Sequence, residues 1–381
     1  MIKVCLVRGK YLNNFEGQNY LFNPKEIKLT AASTYFPIHR RYLFPVRKFL
    51  SPADFPWFSR GVKYLGNRLL GDAQALLGLE KVANQFDIFH SADPHYYYSY
   101  QLAKLRKKNL IKNLIVTSWE TIPFNNESLE RKKEIKYFTI TWTDHFICYT
   151  EKAKSVLIKE GVRPDKISVV HLGVDLNKFY PAVKDKKSKS KKITLLFVGR
   201  LVKEKGIVDL YEAFKNLKSQ ISNLKSKTKI LKLKIVGDGS LRDYLQNQIR
   251  LDNFINEITI EKQNYEDIPE VYQESDILVL PSKRSKSWEE QYAMVLVEAM
   301  ASGLPIVAYD TGAISEVAGE AGILIPEGNI EKLATTIKQL IEVDSLRAKL
   351  GKMGRKRAEM MFDASKSAKK ITEIYRRIVN S

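Results

Sequence analysis

The sequence predicts an α/β protein of two doubly wound domains, each a parallel sheet flanked by helices. Three observations predict it. Short β-rich apolar runs alternate with amphipathic stretches along the 381-residue chain. The alternation begins twice, at Ile2–Val7 and again at Ile193–Val198. Between the two beginnings lies Val183–Lys192, rich in Lys and Ser and without apolar period, which reads as a surface linker.

In the first half the expected strands are Ile2–Val7, Ile88–His90, Leu114–Ser118, Phe146–Tyr149 and Ile167–His171. In the second they are Ile193–Val198, Leu231–Val236, Ile258–Ile260, Ile277–Leu280 and Pro305–Ala308, with a weaker Gly322–Ile325. Met294–Met300 is apolar nearly all round and reads as a buried helix. Ala364–Val379 places Ile371, Ile374, Tyr375 and Ile378 on one helical face. Two such domains, facing each other across a central cleft, take ligands outside the carboxyl ends of their strands.

Composition bounds the function. Apolar residues are 44% and charged residues 28%, a globular balance. No apolar run approaches the ~20 residues of a membrane span, and Met1–Val7 is too short for a signal peptide. A cytoplasmic chain is expected, with Cys5 and Cys148 as reduced core residues. Lys and Arg number 63 against 43 acids, a net charge of +20. Residues 1–180 hold 28 of the basic and 16 of the acidic side chains. Such a surface attracts phosphorylated substrates, anionic lipid or nucleic acid. The chain has no G-x-S-x-G, no P-loop, no G-x-G-x-x-G and no H-E-x-x-H, C-x-x-C or D-x-D. Serine hydrolase, P-loop and dinucleotide dehydrogenase readings lose support, and no metal site is expected. A basic nucleic-acid-binding protein is the alternative from another class. It lacks an RNA-recognition signature, so no nucleic-acid partner is expected.

The second half carries the chemistry. Phe197-Val-Gly-Arg-Leu-Val-Lys-Glu-Lys-Gly206 follows a strand. Gly199 permits a close turn, and Arg200 and Lys205 supply two cations for a diphosphate beside a helix start. Ile235-Val-Gly-Asp-Gly-Ser240 repeats the strand–glycine pattern with Gly237. In Trp288-Glu-Glu-Gln-Tyr-Ala-Met-Val-Leu-Val-Glu-Ala-Met-Ala-Ser-Gly-Leu-Pro305, Glu290 precedes the apolar helix and Glu298 sits within it. A carboxylate in an apolar run needs partners, either an internal cation or ligand hydroxyls. Backbone N–H groups near Ala293, Met294 and Val295 would open onto an anion.

These motifs together resemble the family-4 retaining glycosyltransferases of the GT-B fold, over about Ile88 to Tyr375. The most specific element is the E-x7-E of Glu290 and Glu298, continued by Ala299-Met-Ala-Ser-Gly-Leu-Pro305. Gly199–Gly206, Val236–Gly239, Thr311–Glu316, Ala321–Ile325 and Gly173–Phe179 stand in the expected places. The resemblance implies two Rossmann-like domains: an N-terminal acceptor domain, 1–182 with 366–381 crossing back, and a C-terminal nucleotide-sugar domain, 183–365. It implies a metal-independent retaining hexosyltransferase with no cofactor, using a UDP- or GDP-sugar and a sugar, glycolipid or glycan acceptor. An epimerase or phosphorylase-like enzyme is the sibling reading.

Carried over by motif, Arg200 and Lys205 would clamp the diphosphate and Glu290 would hydrogen-bond the transferred sugar. Glu298 would bind the ribose, and Gly199, Gly237, Gln291, Ala293, Met294 and Val295 would complete the donor site. His90, in Asp87-Ile-Phe-His90-Ser-Ala-Asp93, matches an active-site histidine. Asp93, Trp119 and Glu120 are strand-end candidates for the acceptor. The first βα loop departs from the family's Gly-Gly pair; its run Arg8-Gly-Lys-Tyr-Leu-Asn-Asn-Phe-Glu-Gly17 offers Asn13 and Gly17 instead. Phe55–Leu70 reads as a basic amphipathic helix, with Phe58, Val62, Leu65 and Leu69 on one face. With Arg40-Arg41, Arg47-Lys48, Lys104–Lys108 and Arg131–Lys133, it suggests a peripheral position on the anionic inner membrane face.

Overall fold

A computed structural model describes residues 1–39, 41–54, 72–182, 192–222 and 230–381. The amphipathic reading of Phe55–Leu70, Arg40 and nearly all of the linker Val183–Lys192 lie outside the described residues.

The chain divides into two compact units, Met1–Gly173 with Ala364–Ser381, and Val174–Asp363. The first has a seven-stranded sheet: β1 (Ile2–Gly9), β2 (Ile27–Ser33), β3 (Val46–Lys48), β4 (Ile88–Ala92), β5 (Leu114–Ser118), β6 (His145–Cys148) and β7 (Ile167–Val169). Its order is β3-β2-β1-β4-β5-β6-β7, with parallel pairings throughout. The second has six strands: β8 (Lys192–Val198), β9 (Ile230–Val236), β10 (Ile258–Glu261), β11 (Ile277–Leu280), β12 (Ile306–Tyr309) and β13 (Gly322–Ile325). Their order is β10-β9-β8-β11-β12-β13, again parallel. Both sheets reverse direction of winding beside their first strand, the doubly wound order.

Burial explains the strands. Parallel strands covered on both faces are continuous apolar runs, as in Ile277–Leu280 and Ile306–Tyr309, every residue of which is buried. In the first unit Val7, Phe89, Val116 and Phe146 pack with helical Leu102 and Leu157. In the second, Leu195, Phe197, Leu233 and Val279 pack with Leu210, Phe214 and Ile337. Two strands were not expected from sequence. β2 carries exposed Lys28 and two alanines, and β3 is a short edge strand, Val-Arg-Lys, directly after Pro45.

The unit boundary lies earlier than the expected 182/183. Val174–Ala182 sides with the second unit because Val174 N–H donates to Phe362 O (2.9 Å) and Arg355 donates to Phe179 O (2.9 Å). The last helix, Ala364–Asn380, belongs to the first unit.

A buried ion pair anchors the carboxyl end of β1. Arg8 and Glu16 meet at 2.8 Å, and their side chains are 2% and 5% exposed. Arg8 also donates to the His90 carbonyl (3.1 Å) and to the Tyr20 hydroxyl (2.9 Å), and Tyr149 donates to Glu16 (2.6 Å). Removing one partner of a buried pair strands the other charge. Arg8→Met is therefore expected to destabilise the protein by about 3–5 kcal/mol in urea unfolding. Adding Glu16→Gln to that variant recovers part of the loss.

Candidate functional site

In the second unit the winding reverses between β8 and β11, so the loops after these strands leave toward opposite faces and open a crevice at their carboxyl ends. The loop after β8 ends at Gly206, with φ +65°. A Cβ there would lie 1.7 Å from Pro281 O, immediately after β11, so only glycine fits. Lys283 N–H donates to Glu204 O (2.8 Å), which ties the two loops together. Gly237 supports the same loop from β9: a Cβ on it would lie 1.9 Å from Gly199 O, and Leu201 N–H donates to Asp238 O (2.9 Å).

This frame aims Lys205 at Glu290. The Lys205 ammonium lies 2.6 Å from Glu290 Oε2 and 5.1 Å from the centre of the Trp288 ring. Ser282 donates to the same oxygen at 2.8 Å. Thr311 in turn donates to Ser282 O (3.0 Å), and Ala313 N–H donates to Glu290 O (2.8 Å). Glu290 is buried, and its Oε1 has no partner among the described residues. Arg200 is exposed, and its guanidinium has no partner among the described residues. Behind the pair, Lys283 bonds Asp209 (2.9 Å), which also accepts from the Tyr309 hydroxyl (3.1 Å).

The helix Met294–Ala301 starts from Ala293, a non-glycine residue in the left-handed region at φ +61°, ψ +63°. Half-buried Gln291 lies two residues before it. That conformation costs about 1–3 kcal/mol and recurs at ligand-binding turns. Leu296 N–H returns to Ala293 O (2.9 Å). The N–H groups of Met294 and Val295 have no acceptor among the described residues, leaving an open helix start suited to an anion. One turn further, buried Glu298 accepts from Tyr265 on Oε1 (3.1 Å) and from Tyr272 on Oε2 (2.8 Å). Tyr272 also sits 3.3 Å from Val295 O. Burial pushes the Glu298 carboxyl up to about 7, against the pull of the two phenol donors.

The structure thus brings Lys205 and Glu290 into contact and supplies Glu298 with tyrosines instead of an internal cation. Sequence reasoning missed Ser282, Tyr265 and Tyr272. A serine right after a strand was the available signal for Ser282. Nothing local marks the tyrosines, which lie 33 and 26 positions before Glu298.

The first unit is different in kind. His90 is fully buried; Nδ1 lies 2.6 Å from the Tyr375 hydroxyl and Nε2 2.7 Å from Thr117 Oγ1. Burial holds its pKa well below the usual histidine range. The expected substrate contact meets an imidazole with both nitrogens engaged, tying the last helix to β5. Asn13 caps the short helix Asn14–Gly17 by accepting from Glu16 N–H (2.8 Å), and Gly17 packs on the Phe44 ring. Asp93, at φ +44°, accepts from Trp119 N–H (3.0 Å); burial, with the Glu120 charge adding, pushes it up to about 7. Glu120 accepts from Thr121 and Ile122 N–H on one oxygen and from Asn125 and Asn126 on the other. The Trp119 ring stands edge-on to Tyr149 at 4.4 Å. These groups brace the strand ends. Among the described residues, no group of three or more His, Cys, Asp or Glu could hold a metal ion. No helix among them is long and apolar enough to cross a membrane.

The raised Glu298 carboxyl has a stability consequence. The folded state holds its proton more tightly than the unfolded chain does. The contribution of this group to stability is therefore greatest below a pH of about 4.5 and falls as pH rises to about 7, beyond which it is flat. Thermal unfolding midpoints of the protein and of Glu298→Gln, compared across this window, are expected to show the unsubstituted protein losing ground as pH rises. Parallel curves would contradict the assignment.

Two family models match the chain: Glycosyltransferase Family 4 over residues 33–178 and Glycosyl transferases group 1 over residues 181–357. An uncharacterized glycosyltransferase of Methanocaldococcus jannaschii is 28% identical over 293 residues, covering 73% of this chain and 71% of its own. The UDP-Gal:alpha-D-GlcNAc-diphosphoundecaprenol alpha-1,3-galactosyltransferase of Escherichia coli is 31% identical over 268 residues, 66% of each chain. Among solved structures, Anabaena HepE in complex with UDP superposes with a TM-score of 0.74 at 17% identity, over 99% of this chain and 100% of its own. Its complex with UDP-glucose gives 0.73 at 18%, with the same coverage. One family model falls on each half of the chain, and the whole-length likeness supplies the architecture. The chain is accordingly a GT-B-fold glycosyltransferase related to the family 4 and group 1 glycosyltransferases.

Proposed function

We propose that the protein is a retaining, metal-independent hexosyltransferase. It moves a sugar from a nucleoside-diphosphate donor to a hydroxyl of a sugar, glycan or lipid-linked acceptor. The observation that carries this reading is the Lys205–Glu290 pair, whose Glu290 lies in the loop that leads into the open helix start at Met294 and Val295. The second unit takes the donor. Arg200 and Lys205 meet the diphosphate together with the two free N–H groups. Breaking the anomeric bond builds negative charge on the leaving diphosphate, and these fixed donors stabilise it without reorganising. They fill the part a divalent ion plays elsewhere.

Glu290 keeps Oε1 for a sugar hydroxyl. Each Glu298 oxygen spends one acceptor position on a tyrosine and keeps another, a match for the two hydroxyls of a ribose. The two carboxylates do different work, so a glycosidase-like pair of nucleophile and acid is not the mechanism. The acceptor hydroxyl attacks on the face the diphosphate leaves, and the departing phosphate oxygen takes its proton. The ligands of Anabaena HepE and the donor of the E. coli galactosyltransferase favour uridine over guanosine. The diphosphoundecaprenol acceptor of the latter favours a lipid-linked acceptor and work at the cytoplasmic membrane face. The first unit presents that acceptor.

Glu290→Gln is expected to lower the transfer rate by about 10²–10³ while UDP affinity by calorimetry stays unchanged. Undiminished turnover would remove Glu290 from the chemistry. Transfer is also expected to continue in EDTA, followed as UDP release. Activity lost in EDTA and restored by Mg²⁺ or Mn²⁺ would refute the metal-free mechanism.

A further inference from the structure

The segment between β2 and β3 folds back over the loop that follows β1. Ile38 N–H donates to Lys10 O (3.0 Å), Asn14 N–H to His39 Nδ1 (2.8 Å), and Tyr42 OH to Leu12 O (3.0 Å). The segment therefore sits at the carboxyl end of β1, the end at which a doubly wound domain receives its ligand. It exposes large apolar side chains to an unusual degree: Tyr35 49%, Phe36 65%, Ile38 52% and Leu43 61%. Apolar residues scattered singly on a surface mean little, but a contiguous group marks an interaction site.

Charge identifies the occupant. No acidic residue occurs between Glu26 and Asp54. The flanking acids are themselves engaged: Asp54 is buried, accepting from Tyr35 and Phe36 N–H, and Glu26 pairs with Arg376 at 2.6 Å. Exposed Arg41, Arg47 and Lys48 lie in the same stretch of chain, exposed Lys10 is joined to Ile38 through its backbone, and the Lys48 ammonium lies 6.0 Å from the centre of the Tyr35 ring. Aromatic and aliphatic tips ringed by cations, with no acid among them, complement a bilayer whose headgroups are anionic. A protein surface would need apolar and acidic groups in a fixed pattern, whereas a lipid surface asks only for this composition.

We infer that this rim, residues 35–39 and 41–48 with Lys10, docks the protein on an anionic lipid surface. The chain lies with the carboxyl ends of the first unit's strands toward the bilayer, so that an acceptor carried on a lipid reaches the domain without leaving the membrane. The acceptor half of this inference rests on the lipid-linked reading above; the docking itself does not.

The test uses the full chain with vesicles of phosphatidylcholine alone or mixed with phosphatidylglycerol. Co-sedimentation is expected with the mixed vesicles at low salt, weakening as salt rises, and not with phosphatidylcholine alone. Phe36→Ser combined with Leu43→Ser is expected to lower that binding about tenfold or more. Lys10→Glu combined with Arg41→Glu, which alters only exposed side chains, is expected to do the same. Failure to bind mixed vesicles, equal binding to neutral ones, or undiminished binding by both variants would overturn the inference. So would a dimer in sedimentation velocity that dissociates in the Phe36/Leu43 variant, because a second copy of the chain would then cover the rim. The UDP-induced rise in unfolding midpoint, measured on the same proteins, reports on the donor reading alone. Vesicle binding lost in the variants with that rise intact supports the rim alone, vesicle binding absent in the unsubstituted protein with that rise intact rejects the rim alone, and absence of the rise in the unsubstituted protein rejects only the donor reading.

Discussion

The backbone contact between Gly206 and Pro281 sets the geometry on which the proposed donor site depends. It locks the loops after β8 and β11 against each other at the point where the sheet reverses winding. Lys205 precedes that glycine, and Ser282 follows that proline; both side chains close on Glu290 Oε2. A lysine carries much rotamer entropy, and a pair open to solvent gains little. Here the two side chains are only 15% and 9% exposed, and the Trp288 ring covers the ammonium. The cation is thus placed before any phosphate arrives. On the proposed reading a diphosphate would add to its coordination and a sugar hydroxyl would take the other Glu290 oxygen, so the pair need not break for the donor to bind.

Glu290 and Glu298, eight residues apart, were expected to have different tasks, and their environments differ accordingly. Glu290 sits beside an ammonium and a hydroxyl. Glu298 is enclosed in an apolar helix and has only two phenols, so its carboxyl is pushed up to about 7. Tyr272 contacts both that carboxyl and the Val295 carbonyl. The same side chain thereby fixes the buried acid and the first turn of the helix whose N–H groups stay open. Local strain at Ala293 belongs with this arrangement. The left-handed turn points Met294 and Val295 away from acceptors of their own, and the Tyr272 contacts help hold it.

Most of the fold was legible because its strands are covered on both faces. Continuous apolar runs such as Ile277–Leu280 can be read without knowing what covers them. Ile27–Ser33 and Val46–Lys48 could not, since Lys28 and the Arg47–Lys48 pair reflect an exposed edge. In the donor site the legible parts are local: a glycine turn carrying two cations, and a carboxylate on each side of a helix start. Ser282, Tyr265 and Tyr272 join from other segments, and no spacing announces them. In the first unit, polar residues at strand ends read as open to ligand. Periodicity could not show that residues 13–20 and the last helix fold over them, engaging Arg8 and His90 from above.

The two units consequently differ in what they leave unsatisfied. In the second, Arg200, Glu290 Oε1 and two backbone N–H groups lack partners among the described residues, and all follow the carboxyl ends of β8 and β11. In the first, His90, Glu120 and Asn13 spend their hydrogen-bonding capacity on the protein itself. On the proposed reading, fixed charge for the chemistry therefore resides in one unit. The other presents shape, aromatic surface and a basic rim. Transfer from a nucleotide sugar makes the same demand on the leaving group whatever hydroxyl attacks, which requires fixed donors in fixed places. Choice of acceptor makes no such demand, because an uncharged hydroxyl is selected by what surrounds it. If the proposed reading holds, a chain that keeps its open polar groups in the second unit and an exposed apolar, basic rim on the first divides the reaction along that line.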